Sequence, residues 1–475
     1  MVCLISNRVV PTVFGLMLAS GFFCPAAGQS PTPGFDYDKL QAEGVALLQQ
    51  YIRINTSNPP GNEIQTARFL HDVLSREGIE SQILDTLDLP PGRANFYARL
   101  KGDGTKKAIA IVHHMDVVPV SREFWTVDPF AGEIKDGYLY GRGALDMKGH
   151  GIVQLMAFIA LKRAGVPLHR DIVLIGNADE ESDGIGSRTF IRKHPDLLKD
   201  VEYLLTEGAD TRVEHGKVKW WGIDVGEKRP YWQKITVTGK AGHGSVPTPG
   251  NPVPRLARAI ERLAAWQTEV RISPAVARFF KAQAPFETGQ HRSWMADATA
   301  ALKDPKGRAW LLSDPGRSAL LRNTLTPTVL TGSDKTNTIP QQASAEVDIR
   351  LLPAQDLAAF DREMRRVVAD TAVHFQTIGD VPPRMDSPLD TDLFKAIERV
   401  VGRMLPGVPV ATPVSQGATD RPYYAGAGII CYGVDPYLVE FEDNENGVHG
   451  NDERLAVSNV GFGIRFYLNT LIEAQ

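Results

Sequence analysis

The chain has 475 residues, more than one ordinary domain holds, so two domains are expected. Its 43% hydrophobic and 23% charged residues fit a soluble globular protein rather than a fibrous or disordered one. A net charge of -4 leaves no basic excess to neutralise phosphates, so neither nucleic acid nor an anionic membrane surface is expected as a partner.

The N-terminus carries Arg8, the mostly apolar stretch Val9 to Phe23, and then Pro25-Ala26-Ala27-Gly28-Gln29. A basic start, a short apolar region and small residues predict a secretory signal peptide over 1–28, cut near Gly28. The chain is therefore expected to be exported, either periplasmic or secreted, with no membrane association after cleavage. A membrane anchor is the weaker reading, because the stretch is short and interrupted by Pro11 and Gly15. A lipoprotein signal ending at Cys24 lacks the small residues that usually precede such a cysteine; Phe22-Phe23 stand there instead. Cys3 and Cys24 leave with the signal, and only Cys431 remains. Disulfides then cannot hold the protein together, and any metal must be bound by histidine and carboxylate.

Strand-like apolar runs alternate with helical stretches up to about residue 225. Ala108 to Val112 and Asp171 to Ile175 read as buried strands, and Met147 to Ala164 as a buried helix with Asp146 at its N-cap. Such alternation predicts an α/β domain with a mainly parallel central sheet and helices on both faces. From Tyr231 the texture changes. Gln233 to Thr238 and Glu346 to Arg350 alternate as half-exposed strands do, and Pro252 to Trp266 is helical. This predicts an inserted α+β domain over 229–353. The first domain would occupy 36–228 and resume over 354–475.

Chemistry-bearing residues punctuate this pattern. In Val112-His113-His114-Met115-Asp116, strand alternation puts His114 and Asp116 on one face and His113 on the other. A ligand histidine usually donates its second nitrogen to a carboxylate, so His114 reads as a ligand, Asp116 as its orienting partner and His113 as structural. Gly141-Arg142-Gly143-Ala144-Leu145-Asp146 begins like a dinucleotide loop, but a carboxylate at Asp146 would repel a pyrophosphate and suits a cation. Asp179-Glu180-Glu181 follows a buried strand, at the sheet edge where α/β proteins place their sites; one acid can ligate a metal while the other acts as base. Glu207 follows the apolar run Val201 to Leu205, and His449 sits between glycine-rich neighbours near the C-terminus. Two histidines and several carboxylates fit zinc, with cobalt or manganese as substitutes, and one bridging carboxylate would make a two-metal hydrolytic centre.

The order and wording of these motifs, from Asn55-Thr56-Ser57-Asn58-Pro59-Pro60-Gly61 to His449-Gly450, resemble metallopeptidase family twenty. That group includes acetylornithine deacetylase, succinyl-diaminopimelate desuccinylase, aminoacylase and glutamate carboxypeptidase. The resemblance implies a zinc-peptidase-like catalytic domain and an inserted ferredoxin-like lid and dimerisation domain. It implies that His114 and Glu207 bind one zinc, Glu181 and His449 the other, and that Asp146 bridges them. It makes Asp116 the support of His114 and Glu180 the general base. In the inserted domain, Gly242-His243-Gly244-Ser245-Val246-Pro247 resembles the lid motif whose histidine, here His243, stabilises the oxyanion of a neighbouring subunit's site. Ser245 is no nucleophile elbow, because position 247 is proline. Asn337 and Arg350 match lid positions that contact substrate, and an arginine suits a free α-carboxylate.

Two departures stand out. The family's Gly-Gly-Thr-Asp appears as Gly417-Ala418-Thr419-Asp420, followed by Arg421, in a loop expected to shape the substrate pocket. A segment from Arg271 to Arg322, with Phe279, Phe280, Phe286, Trp294 and Trp310, is expected to lengthen the lid. Its aromatics are expected in the core or, as the second reading, lining a pocket for an apolar group. This segment looks like the carboxypeptidase S and N-fatty-acyl-amino-acid hydrolase branch. The expected function is an exported dizinc hydrolase of peptides or N-acyl amino acids bearing a free carboxylate, working as a homodimer through the inserted domain. A strict dipeptidase or carboxypeptidase, and a non-catalytic binding protein on the same fold, are the alternatives.

Overall fold

The computed structural model describes residues 34–475 other than residue 210, and the expected signal peptide lies outside the described residues. The central sheet runs Ser81–Leu84, Asn95–Leu100, Ile172–Asn177, Ala108–His114, Val201–Thr206, Ile430–Gly433. The first two pairings are antiparallel and the other three parallel. Both faces are covered, as a period of two dictates for a buried sheet. Ile109, Ile111, Ile172 and Leu174 point into one core, while Ala110, Val112, Val173 and Ile175 point into another. The first core is closed by helices Tyr37–Ile52, Lys148–Ala164 and Val457–Glu473, the second by Ile185–Lys193 and Arg421–Gly426.

The helix Lys148–Ala164 is buried all round from Lys148 to Leu161, which explains its nearly unbroken apolar sequence. Its N-cap is Met147, not Asp146. The helix starts one residue later than expected, which leaves the Asp146 carboxylate free of a capping duty.

The inserted unit is an antiparallel sheet in the order Thr324–Thr331, Gln342–Leu351, Gln233–Thr238, Val373–Thr377. With helices Pro252–Ala265 and Leu357–Val368 it has the chain order β-α-β-β-α-β of a ferredoxin-like fold. The unit therefore reaches Thr377 rather than stopping at 353. Helix Leu357–Val368 is amphipathic and buries Phe360, Met364 and Val368 against Ile235, Val347 and Ile349, and the next strand pairs with Gln233 to Val237.

The segment from Arg271 to Arg322 also differs from expectation. It folds into five short α-helices and one 3-10 turn, and its Phe279, Phe280, Met295, Leu311 and Leu321 join the core of the larger domain beside Trp220. The Thr412 hydroxyl donates to the Ala275 carbonyl at 2.8 Å and helps fix this contact. The segment is inserted in the lid's chain order but packed on the other domain, because its apolar faces match that surface. Trp294 and Trp310 are partly buried there, and Phe286 stays exposed.

Candidate metal centre

Four parallel strands end together. His114 pairs with Asn177, and Thr206 with Gly433, so the residues that follow each strand emerge at one edge of the sheet. There His114 Nε2 lies 3.0 Å from Asp146 Oδ1 and 3.6 Å from Glu207 Oε2. His449 Nε2 lies 3.1 Å from Asp146 Oδ2 and 3.1 Å from Glu181 Oε2. Two three-donor groups result, one of His114, Asp146 and Glu207, the other of Asp146, Glu181 and His449. Within each, the donor atoms lie within 4.8 Å of one another. Asp146 offers one oxygen to each histidine and is common to both groups.

The electrostatics suit cations. Burial, then Glu207, pushes the Glu180 carboxyl well above its ordinary range, and burial also raises Glu181. Burial disfavours a charge on His114, but Glu207, Asp116 and Asp146 outweigh it and raise its proton affinity. Asp146 and Glu181 raise His449 to about 10. Glu181 Oε1 is buried with no hydrogen-bond partner among the described residues, an acceptor waiting for a donor or an ion. These nitrogen and carboxylate donors fit a pair of divalent ions such as zinc. Glu180 belongs to neither donor group and stands beside them.

His113 faces away, as alternation requires. Its Nε2 meets the Tyr51 hydroxyl at 3.2 Å and its Nδ1 meets Gln154 Oε1 at 3.2 Å; burial lowers it to about 3, so it is neutral and structural. The support of His114 differs in one detail. Its Nδ1 lies 3.0 Å from the backbone carbonyl of Asp116 and 3.5 Å from that residue's carboxylate. The carboxylate is engaged by other donors: Asn58 Nδ2 at 2.8 Å, the Glu180 N–H at 3.2 Å and the Glu181 N–H at 3.1 Å.

Several contributors were not anticipated. Glu453 accepts from the N–H groups of Gly143, Leu145 and Asp146, and so shapes the loop that presents Asp146. Gly143 has φ 91, and a Cβ there would lie 2.9 Å from Val117 Cγ1, so that turn requires glycine. Asp420 and Arg421 turn inward, while Gly417 and Ala418 are exposed. Asp420 accepts from Asn177 at 2.8 Å and Ser187 at 2.5 Å. Arg421 pairs with Asp224 at 3.0 Å and Glu227 at 3.3 Å. A four-residue separation from His449 was the only sequence signal for Glu453.

The lid residues lie apart from this centre. His243 is exposed on a short strand paired with Thr338–Ile339, and Gly244 donates to the Asn337 carbonyl at 2.7 Å, so His243 and Asn337 are neighbours. The Ser245 N–H and hydroxyl meet His243 Nδ1 at 3.2 and 2.7 Å. An N–H can only donate, so Nδ1 accepts and Nε2 carries the proton. Arg350 is paired with Asp348 at 2.9 Å and stacked over Trp232. Among the described residues no hydrogen bond or ion pair joins His243, Asn337 or Arg350 to the centre.

Comparison with known proteins bears on the family and the fold. Residues 110–473 match the model of Peptidase family M20/M25/M40. The chain is 29% identical over 378 residues to an N-fatty-acyl-amino acid synthase/hydrolase of Xenopus tropicalis, covering 76% of this chain and 71% of that one. It is 27% identical to aminoacylase-1 of Sus scrofa, covering 90% and 94%. The fold is similar to an M20 family metallo-carboxypeptidase from Sulfolobus solfataricus, with a TM-score of 0.67, 18% identity and coverage of 91% and 99%.

Proposed function

The chain belongs to Peptidase family M20/M25/M40 and is a metallopeptidase-type hydrolase of C–N amide bonds; we propose that it is an exported two-zinc hydrolase of N-acyl amino acids or peptides with a free carboxylate. The observation that carries this reading is the sharing of Asp146 between two three-donor groups. His114 and Glu207 would hold one ion and Glu181 and His449 the other, with Asp146 between them. Two such ions would polarise the scissile carbonyl and make water more acidic.

The chain's own residues supply the rest. Glu180, whose burial makes it receptive to a proton, takes one from the attacking water and passes it to the leaving amine. His243, with its proton on Nε2, donates to the oxyanion. Because His243 is exposed and distant in contacts from its own centre, it would serve a second copy of the chain. The exposed edge strand Thr324–Thr331, with Val329 and Leu330 44% and 64% exposed, supports a homodimer through the inserted domain. Arg350 would leave Asp348 to hold the substrate carboxylate, with Asn337 beside the scissile group.

Similarity to both an N-fatty-acyl-amino acid synthase/hydrolase and an aminoacylase favours acyl amino acids over peptides. The test is hydrolysis of N-acetyl-, N-palmitoyl- and glycyl-leucine by the zinc-loaded protein, before and after dialysis against a chelator. Preference for an acyl leucine, lost on chelation and restored by zinc, is expected. Cleavage of glycyl-leucine alone would establish the strict peptidase instead, and chelator-insensitive cleavage would refute the metal centre.

A further inference from the structure

Asn58 occupies an unusual place between the two loops that form the centre. Its loop is sewn to the strand tail that follows His114. The Asn58 N–H donates to the Val117 carbonyl at 2.9 Å, and the Thr56 hydroxyl to the Met115 carbonyl at 2.7 Å. From this anchor its buried side chain reaches the opposite loop. Nδ2 donates to Asp116 Oδ2 at 2.8 Å and to Asp179 Oδ1 at 2.9 Å.

The orientation of that amide is determined. Arg93 Nη2 lies 2.5 Å from Asn58 Oδ1, and a guanidinium can only donate, so the oxygen faces Arg93 and the two N–H groups face the two carboxylates. Arg93 Nη1 pairs with Glu63 and with Asp179, each at 2.8 Å. Gly61, at φ 80, folds the loop over this pair; a Cβ there would lie 2.7 Å from Glu63 Oε2 and 2.8 Å from Arg93 Cζ. The chain can close here only through glycine.

Asp179 needs such restraint. It has φ 67, in the left-handed region that non-glycine residues rarely adopt, and it immediately precedes Glu180 and Glu181. The turn is held from outside. Asp116 accepts the N–H groups of Glu180 and Glu181, and Asn58 joins Asp116 to Asp179. Without the amide, two buried carboxylates would face each other with fewer donors, and the turn carrying Glu180 and Glu181 would lose its register with His114.

We propose that Asn58, oriented by Arg93, is a positioning residue that registers the Glu180–Glu181 turn against the His114 strand. It links the two halves of the centre by bridging Asp116 and Asp179. This inference rests on the metal-centre reading above.

The test compares zinc-loaded wild type with Asn58→Leu, which keeps the volume and removes both donors. Asn58→Ser, which keeps one, substitutes if the leucine variant does not fold. Asn323→Leu is the control, a buried amide lost in the inserted domain, where it binds the Leu352 N–H and Gln355. The readouts are zinc affinity by chelator competition, melting temperature, and kcat and KM for N-acetyl-leucine. Expected for Asn58→Leu are a fall of about 10- to 100-fold in both zinc affinity and kcat, with KM changed less than about threefold. Asn323→Leu should lower the melting temperature while leaving zinc affinity unchanged. Wild-type zinc affinity in a folded Asn58 variant would overturn the proposal. So would losses that merely follow the melting temperature, as in the control. If wild type binds two zinc ions but hydrolyses none of the three leucine probes, the functional reading fails, and the zinc-affinity comparison still decides the role of Asn58.

Discussion

The buried guanidinium of Arg142 lies 2.6 Å from the carboxylate of Glu453, joining residues 311 apart in sequence. Arg142 also donates to the carbonyls of His449 and Gly450 at 3.1 and 2.9 Å, while Glu453 accepts the N–H of Asp146 at 3.1 Å. One ion pair thus sets the loop of Asp146 against the turn of His449. Glu453→Ala leaves Arg142 uncompensated inside the protein and is expected to cost about 3–5 kcal/mol. Urea denaturation monitored by circular dichroism measures this; a loss below about 1 kcal/mol would mean that the pair does not brace these loops.

Glu180→Ala and His114→Ala should fail differently. Glu180 lies outside both donor groups, so its alanine variant is expected to keep two zinc ions and lose about 10²- to 10⁴-fold in kcat. His114 is a donor, so its alanine variant is expected to lose metal. Elemental analysis beside kinetics separates the two; near-normal turnover of the first or full zinc content of the second contradicts the assignment.

Glu227 gives a pH-dependent signature away from the metal donors. Burial raises its carboxyl to about 7, against the favourable charge of Arg421, which it shares with Asp224. Its folded pKa exceeds its unfolded one, so between about 4.5 and 7 the native state binds more protons. Its contribution is fully present below that window and is lost as pH rises through it. Relative to Glu227→Gln, wild type should therefore lose stability from pH 5 to 7, by at most about 1.4 kcal/mol per pH unit. The variant's absolute stability falls, because an amide N–H2 must face the donors Thr419 or Arg421; only the slope of the difference is diagnostic. A flat difference would place Glu227 as an ordinary ionised partner of Arg421.

Sharing of His243 between subunits predicts complementation. His243→Ala and Glu180→Ala should each be inactive, and an equal mixture should regain about one quarter of wild-type turnover, since half of randomly paired dimers hold one intact site. Light scattering should show the dimer. No recovery in a mixture proven to exchange subunits would place His243 in its own chain's site.

Much of the centre was legible because it depends on local rules. Period-two alternation separated His114 from His113, and the apolar runs before Glu181 and Glu207 marked strands whose ends meet at one sheet edge. Less legible were contacts that need two distant segments in register. Asp116 lies against His114, but its carboxylate serves the Glu180–Glu181 turn and Asn58 more closely than it serves His114. The end of the inserted domain was missed because Pro353 looks like a boundary, while the helix after it is drawn back by Phe360, Met364 and Val368.

By itself, the sequence determined which side chains can do chemistry here and on which face of each strand they lie, because donor type and alternation are properties of neighbouring residues. Tertiary structure alone decided that Glu453 and Arg142 brace the loops of Asp146 and His449, and that the helices between Arg271 and Arg322 pack on the larger domain. Those outcomes depend on sheet register and on which buried surfaces complement one another, and neither is encoded within any short stretch of chain.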